Sequence, residues 1–502
     1  MVAAAGFAPL NLWPLTLLAF ASWLALVHAA PSLRAALLLG GAFGWGHLGA
    51  ANLWIAQAFT YQDVMPHWLG VPAVALASLY LALYPMATAG LLWRFGRGAR
   101  PDLGPDLGYA LAASAAWTAT EWARGTLLTG YPWPPLATIW LPLLGVAWTA
   151  KWVGTYALSG LTVATAATLI PAARGQWRAA AAAGAAIVLL ALTGIGGRIE
   201  APAAPNAPRL RIVQPDLDQE QRPRDDYPEA NLRALQALGG KPGTAPRLVL
   251  WPEGALRYLV EPGAPPYYYW QADAGQIRAR IAAPLGPRDI VLTGGDSIGF
   301  AADGRINRAA NAIFAVDAHG RLLARYDKAH LVPFGEYLPW RPVLSLIGIE
   351  RLVPGDFDYT PGPGPRTIAL PGFGPVGMLV CYEVVFSGHI IDPAHRPALI
   401  FNPSNDSWFA QAGPEQHLAQ ARLRAIEEGI PIARATPTGV SAIIDADGRL
   451  VAKTEWNHPG AIEVPIPPAH PPTLFARAGN WLALAVTLLL AATAVAIRRR
   501  AR

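Results

Sequence analysis

At 502 residues the chain is long enough for two or three domains. Hydrophobic residues make up 53% and charged residues only 14%, against about 25% charged in an ordinary soluble domain, so the composition excludes a purely soluble globular protein. The net charge of +6 does not gather into a basic stripe interleaved with aromatics, which excludes the usual nucleic-acid surface, and the single cysteine, Cys381, excludes an internal disulfide.

In chain order, apolar runs long enough to cross ~30 Å of hydrocarbon lie near residues 10–28, 35–56, 71–93, 107–123, 143–171, 179–197 and 480–497. They predict a multi-span α-helical membrane domain over 1–198 with about six spans, and a C-terminal transmembrane helix at 480–497. Glu121 and Arg124 sit at the end of the fourth run. No short basic segment precedes a cleavable apolar core, so none of the runs reads as a signal peptide. Basic residues mark alternate loops: Arg34, then Arg94, Arg97 and Arg100, then Arg174 and Arg178, then Arg498, Arg499, Arg500 and Arg502. The loop at 57–70 carries none. An excess of Lys and Arg marks the cytoplasmic side, so residues 199–478 are expected outside the cytoplasm, together with the N-terminus.

From Pro208 the pattern changes to short β-rich runs: Leu210–Val213, Arg247–Trp251, Ile290–Thr293, Ala310–Val316, Val376–Val380, Ala398–Phe401 and Val440–Ile444. Helical stretches separate them. Over Glu415–Gly429, apolar residues at 418, 421, 423, 425 and 426 form part of one helical face. Alternating strands and helices predict an α/β layered domain over 208–470. Asp317-Ala318-His319-Gly320 and Asp445-Ala446-Asp447-Gly448 read as one hairpin device used twice.

Three residues in this domain are candidates for chemistry, two of them where strands end. Cys381 follows the apolar run Gly377–Val380 and precedes Tyr382 and Glu383. A nucleophile suits such a turn, but free cysteine is also among the most buried of residue types. Glu253 ends Leu248–Trp251 after Pro252. Burial there would raise its pKa and fit it to act as a base, whereas glutamate is ordinarily a surface residue. Lys328 opens Lys328–Tyr337. An ammonium can stabilise an oxyanion, yet most lysines are simply solvated.

Taken together these blocks resemble the nitrilase superfamily, in which Glu, Lys and Cys act in that chain order. The resemblance is carried by Trp251-Pro252-Glu253, by Lys328 with His330–Glu336, and by Cys381-Tyr382-Glu383. Asn405–Phe409 adds a fourth block, and Gln416-His417 through Arg424–Glu427 a fifth. In its membrane setting the chain is similar to the bacterial apolipoprotein N-acyltransferase family, whose membrane signatures resemble Phe7-Ala8-Pro9 with Trp13-Pro14, Thr120–Gly125 and Thr129–Trp133. Two departures stand out. That family carries one more span ahead of the Phe7 region, and a tryptophan where this chain has Gln221-Arg222-Pro223.

The resemblance implies an αββα sandwich with catalytic Glu253, Lys328 and Cys381. Glu336 is expected to orient Lys328 or Glu253, and Tyr382 and Glu383 to support the acyl pocket. The implied reaction moves an acyl chain from a phospholipid donor, through a Cys thioester, to the N-terminal amine of a diacylglyceryl-modified apolipoprotein. It needs no metal or cofactor and takes place on the periplasmic side of the bacterial inner membrane. The aromatic stretches Pro266–Trp270 and Phe334–Trp340 suit an interfacial depth. The alternative is a membrane-anchored nitrilase-type amidase that uses water as acceptor, told apart by its product.

Overall fold

The computed structural model describes residues 1–61, 65–97, 104–196, 206–217, 226–347 and 358–500. Arg100, Gln221–Pro223, Arg502 and the expected boundary at 198 lie outside them.

Apolar runs in the first half form α1 (Trp13–Ala29), α2 (Leu33–Asn52), α3 (Gly70–Leu91) and α4 (Leu107–Thr126). A short α5 (Leu144–Ala147), α6 (Ala150–Ala172) and α7 (Arg178–Ile195) follow. Polar side chains start two of them: Ser32 accepts from the Ala35 N–H and Asp106 from the Tyr109 N–H, each satisfying an otherwise orphaned donor. The apolar run at 143–171 is not one span. It breaks between α5 and α6, and Gly154 leaves the helix again with φ of 79°. Glycine accepts that angle without the penalty a Cβ would bring.

The second half holds two six-stranded sheets. The first contains β1 (Arg209–Gln214), β2 (Arg247–Leu250), β3 (Ile290–Phe300), β4 (Ile306–Asp317) and β5 (Leu322–Asp327). The second contains β6 (Arg366–Leu370), β7 (Gly374–Met378), β8 (Leu399–Pro403), β9 (Ile432–Ala435), β10 (Ala442–Ile444) and β11 (Leu450–Lys453). β12 (Gly460–Pro465) returns to the first sheet beside β1. The orders are β12-β1-β2-β3-β4-β5 and β11-β10-β9-β8-β7-β6. In each sheet three parallel strands, β1-β2-β3 or β7-β8-β9, are flanked by antiparallel ones.

Period-two alternation sets the layers. Leu248 and Leu250 of β2 enter the core between the sheets with Val376, Met378 and Phe401, while Val249 faces outward. That outer face packs against α8 (Tyr227–Gly239) and α9 (Ala274–Ala282), through Leu232, Leu235, Ile277 and Ile281. A single-turn α10 (Arg341–Leu344) follows later in the chain. The outer face of the second sheet packs against α11 (Ala412–Glu428), through Leu418, Ala421 and Ala425. The result is the αββα sandwich. In both expected hairpins the aspartate accepts two backbone N–H groups, Asp317 from His319 and Arg321 and Asp445 from Asp447 and Arg449. Gly320 and Gly448 take positive φ in each.

The short α12 (Leu474–Ala478) leads into α13 (Trp481–Arg500), which packs along α4 and α6. Four helical segments among the described residues are long and apolar enough to cross a membrane: His67–Gly96, Ala150–Ala172, Arg178–Ile195 and Trp481–Arg499. Several arginine-bearing helix ends meet. Arg97 donates to the Ala30 carbonyl, and Arg498 to the carbonyls of Phe95 and Arg97. The sandwich docks on the opposite end of the helices. There Asn480 donates to the Ser387 carbonyl, Lys151 pairs with Asp447, and Glu427 accepts from Ser387 and from the Thr155 N–H. That N–H is free for Glu427 because the helix is unwound at Gly154, and a Cβ there would lie 2.4 Å from the Phe475 ring. Gly154→Ala is therefore expected to cost about 1–3 kcal/mol of stability and to speed hydrogen exchange at the Thr155 amide. An unchanged thermal midpoint with unchanged exchange contradicts this docking role.

Candidate active site

Three chain segments deliver the site. β2 runs on through Trp251, whose N–H donates to the Leu292 carbonyl, and stops at Pro252, leaving Glu253 at its carboxyl end. Gly294 of β3 allows this: a Cβ there would sit 2.7 Å from Glu253 Cα. Lys328 extends β5 by one residue, with its N–H on the Asn311 carbonyl. Cys381 opens a 3₁₀ turn, Cys381–Val385, just beyond β7. Its φ of 52° is left-handed, a conformation uncommon for a side chain with a Cβ.

The segments converge in a buried cluster. Lys328, 1% exposed, sits 2.8 Å from Glu336 Oε2 and 3.7 Å from Glu253 Oε1. Asn311 Nδ2 donates to both carboxylates, at 2.7 Å to Glu253 and 2.9 Å to Glu336, one hydrogen for each. Glu336 also accepts from the Val332 N–H. Glu253 Oε2 is buried and takes no well-formed hydrogen bond among the described residues. The Cys381 thiol borders this carboxyl, with Lys328 charge close enough to act on the sulfur.

Burial raises the Glu253 carboxyl, with Glu336 reinforcing and Lys328 opposing. Burial alone would pull the Lys328 ammonium down, but Glu336 and then Glu253 more than offset it, so its pKa is raised and it stays charged. The Cys381 thiol is pushed well up, first by burial and then by the negative charge of Glu253; Lys328 pulls the other way. At rest the sulfur carries its proton beside the Glu253 carboxyl.

Glu383 is buried and fully engaged with its neighbours. Oε1 accepts from the Ala329 and His330 N–H groups and from the Tyr326 hydroxyl, and Oε2 from the Val380 N–H, at 2.6–3.0 Å. It staples the Lys328 segment to the Cys381 turn. Tyr382 is also buried, and its hydroxyl donates to the Gly130 carbonyl of the membrane half. That loop is itself folded by Arg124, which donates to the Tyr131, Trp133 and Pro134 carbonyls. Glu121 accepts from the Leu136 N–H beside it. Gln416, from the fifth sequence block, accepts from the indoles of Trp54 and Trp133 and donates to the Ala51 carbonyl.

Residue-by-residue reading overlooked Asn311, whose signal was an amide inside the apolar run Ala309–Val316. It also assigned no role to Asp406, His417 and Arg434, which lie behind Cys381 with 0% exposure. Among the described residues, no group of three or more His, Cys, Asp or Glu side chains is arranged to hold a metal ion. Of the aromatic stretches, Tyr267, Trp270, Phe334 and Trp340 are exposed, whereas Tyr269 turns inward to the Glu261 carbonyl.

A thiol held up in this way predicts a distinct titration. Iodoacetamide modification of Cys381 should still be climbing at about pH 9, beyond the ~8.5 midpoint of an ordinary thiol. Lys328→Met, which removes the charge that draws the thiol down, should move the profile higher still. A plateau below pH 8 contradicts the electrostatics described.

Comparison with known proteins matches residues 1–168 to the apolipoprotein N-acyltransferase N-terminal domain and residues 221–470 to the carbon-nitrogen hydrolase family. The apolipoprotein N-acyltransferase of Rhodopseudomonas palustris is 35% identical, covering 98% of this chain and 92% of its own. That of Bradyrhizobium diazoefficiens is 34% identical with the same coverage. Among solved structures, an amidase from Nesterenkonia sp. is 20% identical over 53% of this chain and 93% of its own, with a TM-score of 0.34. With relatives of this identity along almost its whole length, the chain belongs to the apolipoprotein N-acyltransferase family of acyltransferases.

Proposed function

We propose that this acyltransferase moves an acyl chain from a membrane phospholipid to Cys381, and from there to the N-terminal amine of a diacylglyceryl-modified lipoprotein. The observation that carries the reading is the buried convergence of Glu253, Lys328 and Cys381 at the end of the sandwich docked on apolar helices. The arginine cluster at the far helix ends supports an orientation with that end cytoplasmic. The sandwich then faces the periplasm of a bacterial inner membrane.

In the first step Glu253 takes the thiol proton as the sulfur attacks the ester carbonyl of the donor. The negative charge develops on the carbonyl oxygen beside the Lys328 ammonium and the N–H groups that open the Cys381 turn. One such preorganised donor is worth ~3 kcal/mol. The C–O bond then breaks, and Glu253 returns the proton to the glyceryl alcohol. In the second step the lipoprotein amine attacks the thioester, Glu253 accepts the amine proton, and the C–S bond breaks as Glu253 passes that proton to the departing sulfur, giving an amide, the restored thiol and the free carboxylate. Water must be kept out while the thioester waits, which a cluster this deeply buried favours. The exposed aromatics Trp270, Phe334 and Trp340 suit contact with the headgroup layer.

Cys381→Ala, Glu253→Ala and Lys328→Ala are each expected to abolish acyl transfer from phospholipid to a diacylglyceryl-cysteine peptide, followed by product mass. Cys381→Ser should lose it too, since an oxyester is a poorer acyl donor to an amine. Full transfer by purified Cys381→Ala protein contradicts the proposal. Free fatty acid as the main product in the presence of the amine favours an amidase that uses water.

A further inference from the structure

We propose that His417 is a positioning residue for the nucleophile: its Nε2–H holds the Cys381 carbonyl and thereby keeps Cys381 in the left-handed conformation that turns its sulfur toward Glu253 and Lys328. The inference rests on Cys381 being the nucleophile. A side chain at φ 52° is held in a strained region, and such strain persists only where the surroundings over-determine it. Two donors reach the Cys381 carbonyl: His417 Nε2 at 3.2 Å and Asn402 Nδ2 at 3.3 Å. Asn402 Nδ2 lies equally close to the Leu379 carbonyl, also at 3.3 Å.

The neighbours of His417 fix which nitrogen carries its proton. Nε2 faces the Cys381 carbonyl, which can only accept, so Nε2 bears the hydrogen; Nδ1 faces both Arg434 Nη2 at 2.9 Å, a donor, and Asp406 Oδ1 at 3.2 Å, an acceptor, and in the neutral ring it accepts from the nearer arginine. The guanidinium is itself held by both Asp406 oxygens, at 2.7 and 2.6 Å, and by the Val440 carbonyl at 2.8 Å. His417, Asp406 and Arg434 are all 0% exposed. Burial first, and then Arg434, pulls the imidazole below its usual pKa, so it remains neutral. The free face of the ring packs on Trp133, with centroids 4.9 Å apart. Trp133 belongs to the loop that Arg124 folds over the end of α4. The carbonyl of the nucleophile is thus anchored to a device seated against the membrane half.

The test uses the full-length protein in lipid nanodiscs. His417→Phe keeps a ring against Trp133 and removes the donor; His417→Gln retains an amide donor. A misplacement of about 1 Å at a reacting group costs on the order of 10²-fold in rate. His417→Phe is therefore expected to lower kcat by about that factor, with KM for phospholipid within about threefold and an unchanged thermal midpoint. His417→Gln should recover to within about tenfold of the parent. Should the Phe variant not fold, His417→Met supplies the same missing donor. Normal kcat in the donor-less variant, or an equal fall in both variants, overturns the inference. Cys381→Ala measured alongside separates the two readings: transfer retained there removes the nucleophile itself, whereas transfer lost there with normal His417→Phe turnover removes only the positioning role.

Discussion

A lysine ammonium with 1% exposure is tolerated only where opposite charge and hydrogen-bond acceptors surround it. Lys328 is held by Glu336 at 2.8 Å and by Glu253 at 3.7 Å. Asn311 bridges the two carboxylates, so that they share one amide as well as one cation. Removing one member of a buried ion pair commonly costs about 3–5 kcal/mol, because the other is left buried and uncompensated. The same constraint that stabilises the cluster organises its chemistry. Lys328 remains charged, the Glu253 carboxyl is raised, and the thiol is held protonated beside it, which is the arrangement that the proposed proton transfer from sulfur to Glu253 requires.

The cluster depends on contacts that cross from one half of the chain to the other. Glu383 ties the Lys328 segment to the Cys381 turn with four hydrogen bonds. Tyr382, Trp133 and Gln416 then tie that turn and α11 to the ends of the membrane helices. The pair Glu121 and Arg124, which looks like a flaw in an apolar run, folds the loop that makes these contacts. Buried charge at the end of a span is costly, and here it satisfies backbone groups that would otherwise lie unpaired near the bilayer.

Much of this was legible in the sequence. The apolar runs located the long helices, and the ordered blocks around Glu253, Lys328 and Cys381 pointed to one site. The strands missed were β5, β6, β9, β11 and β12. β6 and β11 are sheet edges with exposed, partly polar faces, and β9, although central, carries the buried Arg434. A hydropathy pattern does not distinguish a buried arginine paired to Asp406 from a solvated one. Nor does it find Asn311, or show that Glu383 staples the Lys328 segment to the Cys381 turn, since these roles rest on partners such as Glu253, Glu336 and Tyr326, 25 to 58 residues away. The break in α6 was hidden for a different reason: Gly154 sits in an apolar run that reads as continuous, and only its φ and the approach of Phe475 reveal the bend.

The central claim is that the acyl chain rests on one sulfur between donor and acceptor. The most direct measurement is the intact mass of the purified protein after incubation with phospholipid and no amine, followed by peptide mapping. The account predicts a single acyl-sized adduct on the peptide that contains Cys381, released by hydroxylamine and discharged when a diacylglyceryl-cysteine peptide is added. Acyl transfer proceeding without any such adduct, or with the adduct on another residue, contradicts it.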